Sequence, residues 1–128
     1  ASEILDDSWD LALTAKGLLD AARLLDGRYH LVVTNVPYLA RGKQAEALRS
    51  HCDREFTLGR HDLAVAFIER CHQLCSEGGA LSVVSPQNWW FLSSYTKFRH
   101  WLLQSVTFRL VAALGEEGDV PKSVERVS

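Results

Sequence analysis

The stretch YHLVVTNVPYL, residues 29–39, decides how the chain reads. Residues 30–34 (HLVVT) form a short apolar, β-branched run, the pattern of a strand buried on both faces. It passes directly into Asn35-Val36-Pro37-Tyr38. A turn needs only the asparagine and the proline. The tyrosine is surplus to a turn and points to function.

Working outward, residues 80–85 (ALSVVS) predict a second buried strand closed by Pro86, and residues 108–115 (FRLVAALG) a third. Upstream, Leu11, Ala15, Leu18, Ala22 and Leu25 mark one face of a helix over 9–25, with Gly27 placed to stop it. Asp62 can cap a helix whose apolar face is Leu63, Ala66, Phe67, Cys71, Leu74 and Cys75, and SEGG (76–79) is expected to end it. Ser94 can cap a further helix carrying Phe98, Trp101, Leu102 and Ser105. Residues 39–60 are polar and mixed, with room for a short helix at 43–50 but otherwise loop. A connection that long just after a strand end is often functional. This alternation predicts an α/β fold with parallel strand pairs and helical crossovers.

Ligands in such folds sit beyond the carboxyl ends of the strands. Asn35–Tyr38 and Ser85-Pro86-Gln87-Asn88 both occupy that position and can line one cleft. The Asn35 side-chain oxygen and the Val36 carbonyl form a pair of acceptors, suited to an –NH2 group on a flat ring or an amide. Two acceptors favour the pyramidal, more nucleophilic form of such an amine and hold it in line with an electrophile. Tyr38 supplies a stacking face worth ~1–3 kcal/mol to a nucleobase.

Composition sets the outer bounds. The 128 residues are 47% hydrophobic and 23% charged, with a formal charge of −2, so the chain is at most one domain and has no global nucleic-acid signature. No apolar run approaches the ~20 residues of a membrane span, and nothing at the start resembles a signal peptide. The three cysteines are an odd number and argue against a disulfide framework, which makes a reducing cytoplasm the expected location.

TNVPY (34–38) resembles the Asn-Pro-Pro-Tyr signature of S-adenosylmethionine-dependent amino-methyltransferases, especially those acting on adenine N6 in DNA. The similarity continues through DLAVAFIERCHQLCSEGGALSVVSPQNWWFLSSYTKFRHWLL (62–103) and VAALG (111–115). That order and spacing resemble the large adenine methyltransferases of restriction–modification and phage-exclusion systems, over roughly residues 29–115. The resemblance implies that Asn35 and the Val36 carbonyl hold the amino group of a flipped adenine, with Pro37 stiffening the turn and Tyr38 stacking on the ring. It implies that Pro86, Gln87 and Trp89 shape the base pocket and that Phe67 walls the adenine of the cofactor, S-adenosylmethionine. DNA is the implied partner, reached through the parent protein.

Two departures stand out. Val36 replaces the first proline of the signature, adding an N–H that needs a partner. The glycine-rich cofactor loop and the acidic residue that binds the cofactor ribose are absent. The resemblance therefore implies a partial Rossmann-like three-layer sandwich, of the class I methyltransferase type, lacking the first cofactor-binding strands. Residues 1–128 would be the C-terminal, target-base part of a catalytic domain, inactive alone, with 116–128 as an exposed tail. Strand edges left by missing neighbours should favour self-association. Two other outcomes stay open: the same chemistry on a protein glutamine or an RNA base, and a non-catalytic DNA-binding or interaction module.

Blander readings apply elsewhere. Cys71 and Cys75 fall on an apolar helix face and lack a second ligand pair, so no metal site is expected. Trp89-Trp90-Phe91 reads first as core or interface. Lys97, Arg99 and His100 read as a solvated helix face.

Overall fold

The computed structural model describes residues 2–113 and 124–125. They form α1 (Ser2–Asp26), β1 (Tyr29–Asn35), α2 (Glu46–Glu55), α3 (Leu63–Leu74), β2 (Cys75–Val84), α4 (Thr96–Ser105), β3 (Val111–Ala112) and β4 (Val124–Glu125), with single 3-10 turns at Arg41–Lys43, Asn88–Trp90 and Ser93–Tyr95. The chain divides into two units, Ala1–Val33 with Cys71–Ser82, and Thr34–Arg70 with Val83–Ser128.

In the first unit, the predicted helix is longer than its apolar repeat and its stripe is uncovered: Leu11 is 71% and Leu18 68% exposed. An amphipathic pattern specifies a face but not what covers it. Lys16 pairs with Asp20 at 2.7 Å one turn away, an exposed contact that adds little to stability. The helix ends as predicted before Gly27, and the Tyr29 hydroxyl donates to the Leu24 carbonyl at 2.6 Å, satisfying a terminal acceptor.

Strands β1 and β2 are neighbours in a two-stranded sheet. Ser76 Oγ donates to the Tyr29 carbonyl at one end and the Val36 N–H to the Val84 carbonyl at the other, so the strands run parallel. The expectation of burial on both faces is corrected. Leu31 and Val33 are exposed while Val32 and Thr34 are half-buried, the alternation of a pleat packed on one side. SEGG does not end α3 in a loop. The helix stops at Leu74 and β2 starts at Cys75, which puts SEGG, and Cys75 itself, in the strand. Gly78 sits at φ 72° there, a conformation that only glycine adopts cheaply.

In the second unit, Val36, Ala64, Val65, Ile68, Trp89, Tyr95, Phe98 and Leu102 form the buried core, with Val83, Trp90 and Trp101 packed against it. Asp62 caps α3 as predicted, its Oδ1 accepting the Ala64 N–H at 2.8 Å. The buried face of that helix includes Ala66 and Cys71 as expected, but Ala64, Val65 and Ile68 share it and Phe67 is 39% exposed. Phe98 and Leu102 face the core as expected, but Ser94 makes no cap and Ser105 is exposed. The Ser93 carbonyl accepts instead from the Thr96 hydroxyl at 2.8 Å.

The predicted third strand is reduced to β3, which pairs antiparallel with β4 and does not join the β1–β2 sheet. Except for β4, the tail at 116–128 lies outside the described residues, as do residues 114–115 of that strand. The structure is therefore a mixed α/β arrangement with a small parallel sheet.

The 39–60 connection is less of a loop than expected. Its base is closed by Leu63 N–H to Leu39 O at 3.0 Å and Arg41 N–H to His61 O at 3.1 Å, and α2 fills its middle. The Arg41 guanidinium grips Asp53 through two bonds of 2.6 and 2.8 Å, a fork-to-fork pair that holds the Asp53 carboxyl below the usual carboxylate range. Gly59 packs so tightly on α3 that a Cβ would stand 2.5 Å from the Ala66 nitrogen, and its N–H donates to Glu69 at 3.1 Å. Burial nonetheless keeps the Glu69 carboxyl above its ordinary value.

Candidate active site

The tetrapeptide after β1 alternates in burial. Val36 is 3% exposed and belongs to the core, whereas Asn35, Pro37 and Tyr38 are exposed, Tyr38 by 58%. Val36 thus anchors the turn, and the residues around it are presented outward. The N–H that distinguishes Val36 from a proline donates to the Val84 carbonyl at 3.2 Å, adding one rung just past the end of β1. Among the described residues, no backbone group bonds the Val36 carbonyl and none bonds the Asn35 carboxamide. Both acceptors are neutral, so neither needs a particular protonation state. Just downstream, Gln44, 5% exposed, donates Nε2–H to the Leu39 carbonyl at 3.1 Å and ties down the chain that follows Tyr38.

Val36→Pro is expected to lower stability by roughly 0.5–1.5 kcal/mol. Losing the bond and leaving the Val84 carbonyl unpaired costs about 1–2 kcal/mol, and proline's stiffer unfolded chain returns part of that. Urea titration of the two proteins measures it. An unchanged midpoint would mean the bond contributes nothing.

The second strand end lies beside the first, because the Val36–Val84 bond joins them. Ser85 and Pro86 are half-buried, and Gln87 and Asn88 exposed. Trp89, expected as a pocket residue, is 5% exposed within the core cluster. Its Nε1–H donates to Ser85 Oγ at 3.0 Å, and its ring stacks on Trp90 at 4.3 Å and meets Phe98 edge-on at 5.4 Å. The structure therefore brings Asn35–Tyr38, Pro86 and Gln87 to adjacent strand ends, with Trp89 beneath them in the core.

Phe67 sits apart from that core. It lines an open cavity of about 210 Å³ with Leu48, His51, Cys52, Phe56, Leu63, Ala66 and Arg70. Pockets that enclose a drug-sized ligand run ~300–1,000 Å³, so this one matches a single ring system. Its apolar, ring-bearing walls suit the flat face of a purine. Burial raises the Cys52 thiol there, so it is no ready nucleophile.

Arg99 was missed by sequence reasoning, which places it on a solvated face. Its Nη1 lies 2.7 Å from both the Trp89 and Leu92 carbonyls, and Nη2 3.2 Å from Thr96 Oγ1. The three bonds reach back ten, seven and three residues. Only the last has a helical spacing that a sequence pattern carries.

The strand end thus presents two neutral acceptors beside an exposed tyrosine. Residues 5–119 match the family of the Eco57I restriction-modification methylase, and the chain belongs to that family. It is 35% identical over 97 residues to the adenine-specific methyltransferase BrxX of Escherichia coli O9:H4 (strain HS), covering 76% of this chain. It is 29% identical over 98 residues to the adenine-specific methyltransferase PglX of Lacticaseibacillus casei (strain Zhang), covering 77%. In each case the match spans 8% of the relative's length.

Proposed function

We propose that this chain is the target-base part of a DNA adenine-N6 methyltransferase of a restriction–modification or phage-defence system, working in the cytoplasm. The observation that carries the proposal is the turn at Asn35–Tyr38. Its buried Val36 leaves the Asn35 carboxamide, the Val36 carbonyl and the Tyr38 ring available at one strand end. The names of the BrxX and PglX relatives support adenine as the acceptor.

In this mechanism the DNA-bound adenine turns out of the duplex, at a cost of a few kcal/mol in lost stacking and pairing. Tyr38 offsets part of that cost by stacking on the ring. The Asn35 oxygen and the Val36 carbonyl each accept one hydrogen of the exocyclic amine, drawing its lone pair out of conjugation and aiming it. Pro37 restricts the turn, and Pro86 and Gln87 bound the pocket from the neighbouring strand end. Phe67, with Leu48 and Phe56, offers a wall for the adenine of S-adenosylmethionine, consistent with its half-exposed place in a ring-sized cavity. When bound, the cofactor supplies an electrophilic methyl group. The methyl–sulfonium bond would break as the methyl group passes to the amine, the cofactor leaving as a neutral thioether, while Asn35 and the Val36 carbonyl hold the amine until its surplus proton passes to solvent. The remaining cofactor contacts belong to segments beyond this chain, and the isolated chain self-associates through its strand edges.

The test is Tyr38→Ala beside Tyr38→Phe in the longest product of the encoding gene, assayed with labelled cofactor on unmethylated DNA. Loss of ~1–3 kcal/mol of stacking lowers kcat/KM about 5- to 150-fold in the alanine variant, while phenylalanine keeps near-native transfer. Equal rates for all three proteins would remove Tyr38 from the site. Label found in protein glutamine or RNA would keep the amine chemistry and change the substrate.

A further inference from the structure

Resting on that reading of the strand ends, we infer that Arg99 is the positioning residue for the Ser85–Leu92 loop, and through it for Pro86 and Gln87 at the target base. The loop leaves β2 and contains the short Asn88–Trp90 turn. A turn of one 3-10 cycle cannot satisfy its own last carbonyls. The Leu92 carbonyl takes the Tyr95 N–H at 3.1 Å, but among the described residues the Trp89 carbonyl takes no backbone donor. Arg99, on α4, supplies that bond and a second one to Leu92, both at 2.7 Å. These are charge-assisted bonds from one rigid planar group, so the two carbonyls are fixed relative to each other.

The other end of the loop is pinned independently. The indole N–H of Trp89 reaches back to Ser85 Oγ at 3.0 Å, and the ring itself is buried in the core. Trp89 is therefore held by its ring on one side and by its carbonyl on the other. The segment closed between these ties contains Pro86 and Gln87. Position in such a site matters steeply, since a misplacement of ~1 Å can cost about 10²-fold in rate. Arg99 touches no proposed substrate group, so it acts only through the loop. Lysine keeps the charge but ends one atom short of the Nη1 position and has no second nitrogen for Thr96, so it is expected to hold the two carbonyls less closely.

The experiment compares native, Arg99→Ala and Arg99→Lys forms of the longest gene product, by single-turnover methyl transfer and by amide hydrogen exchange. In Arg99→Ala, exchange across residues 87–92 accelerates at least tenfold while α3 stays protected. Transfer slows about 10- to 100-fold and cofactor affinity stays within twofold. Arg99→Lys falls between the two on both readouts. Unchanged exchange in the loop would overturn the brace. A loosened loop with native transfer would overturn its role in positioning the base. Uniform loss of protection in both variants would make Arg99 a general folding residue and overturn the inference as well. If the native protein transfers no methyl group, the functional reading fails, and exchange in the loop alone decides whether Arg99 is a brace.

Discussion

Asn35→Ala is expected to slow methyl transfer by about 10²–10⁴-fold while folding and cofactor affinity stay native. Removal of one positioned polar group that acts in the transition state typically costs 10²–10³ in rate, and here the same group also orients the nucleophile. Stability should not change, because Asn35 is exposed and its carboxamide bonds no described group of the fold. The loss should therefore appear in the single-turnover rate with no shift in melting temperature. A fall of less than tenfold would take the asparagine out of the reaction. A parallel drop in stability would make it a structural residue.

Phe98→Ala should show the opposite signature. Phe98 is 0% exposed and touches both Trp89, at 5.4 Å, and Trp101, at 5.7 Å between ring centroids. Truncating a buried phenylalanine costs about 3–5 kcal/mol, the lost transfer energy plus an unfilled cavity. Against a net stability of about 5–15 kcal/mol, that is a large share. Trp89 and Val36 lie in the same core cluster, so the damage should extend to both strand ends and to transfer. Urea unfolding checks it, and a loss below about 1 kcal/mol would mean the core around Phe98 repacks freely.

The parts legible in the sequence were those that local physics specifies. A β-branched run marked β1, an apolar run marked β2, and Asp62 marked the start of α3 because an aspartate there can cap it. The adjacency of the two candidate strand ends was legible because ligand groups in such folds follow strand ends. What failed needed partners distant in sequence. The apolar stripe of α1 predicted a helix correctly but implied a covering surface that the described residues do not supply. Gly78-Gly79 read as a helix stop, since glycine is as common there as at the strand distortion it serves here. Phe108, in the predicted third strand, packs on the core without a ladder, and among the described residues that strand is reduced to Val111–Ala112. Trp89 was a candidate for the pocket wall through the family resemblance alone, and its bond to Ser85 is a tertiary fact.

The role of Val36 is the clearest gain from the structure. In sequence it is a departure from the signature of its family. In the fold its side chain fills the core and its N–H finds the Val84 carbonyl, while its own carbonyl stays free of backbone bonds among the described residues. The substitution therefore leaves open the carbonyl that we propose as an acceptor.

The most direct measurement is the identity of the methylated product. The longest product of the encoding gene is incubated with labelled S-adenosylmethionine and unmethylated DNA, and the DNA is digested to nucleosides and separated. Label in N6-methyladenine from the native protein, absent with Asn35→Ala, is the expected result. Label on cytosine, or no label in DNA from a protein that binds both DNA and cofactor, would contradict a flipped adenine held at Asn35–Tyr38.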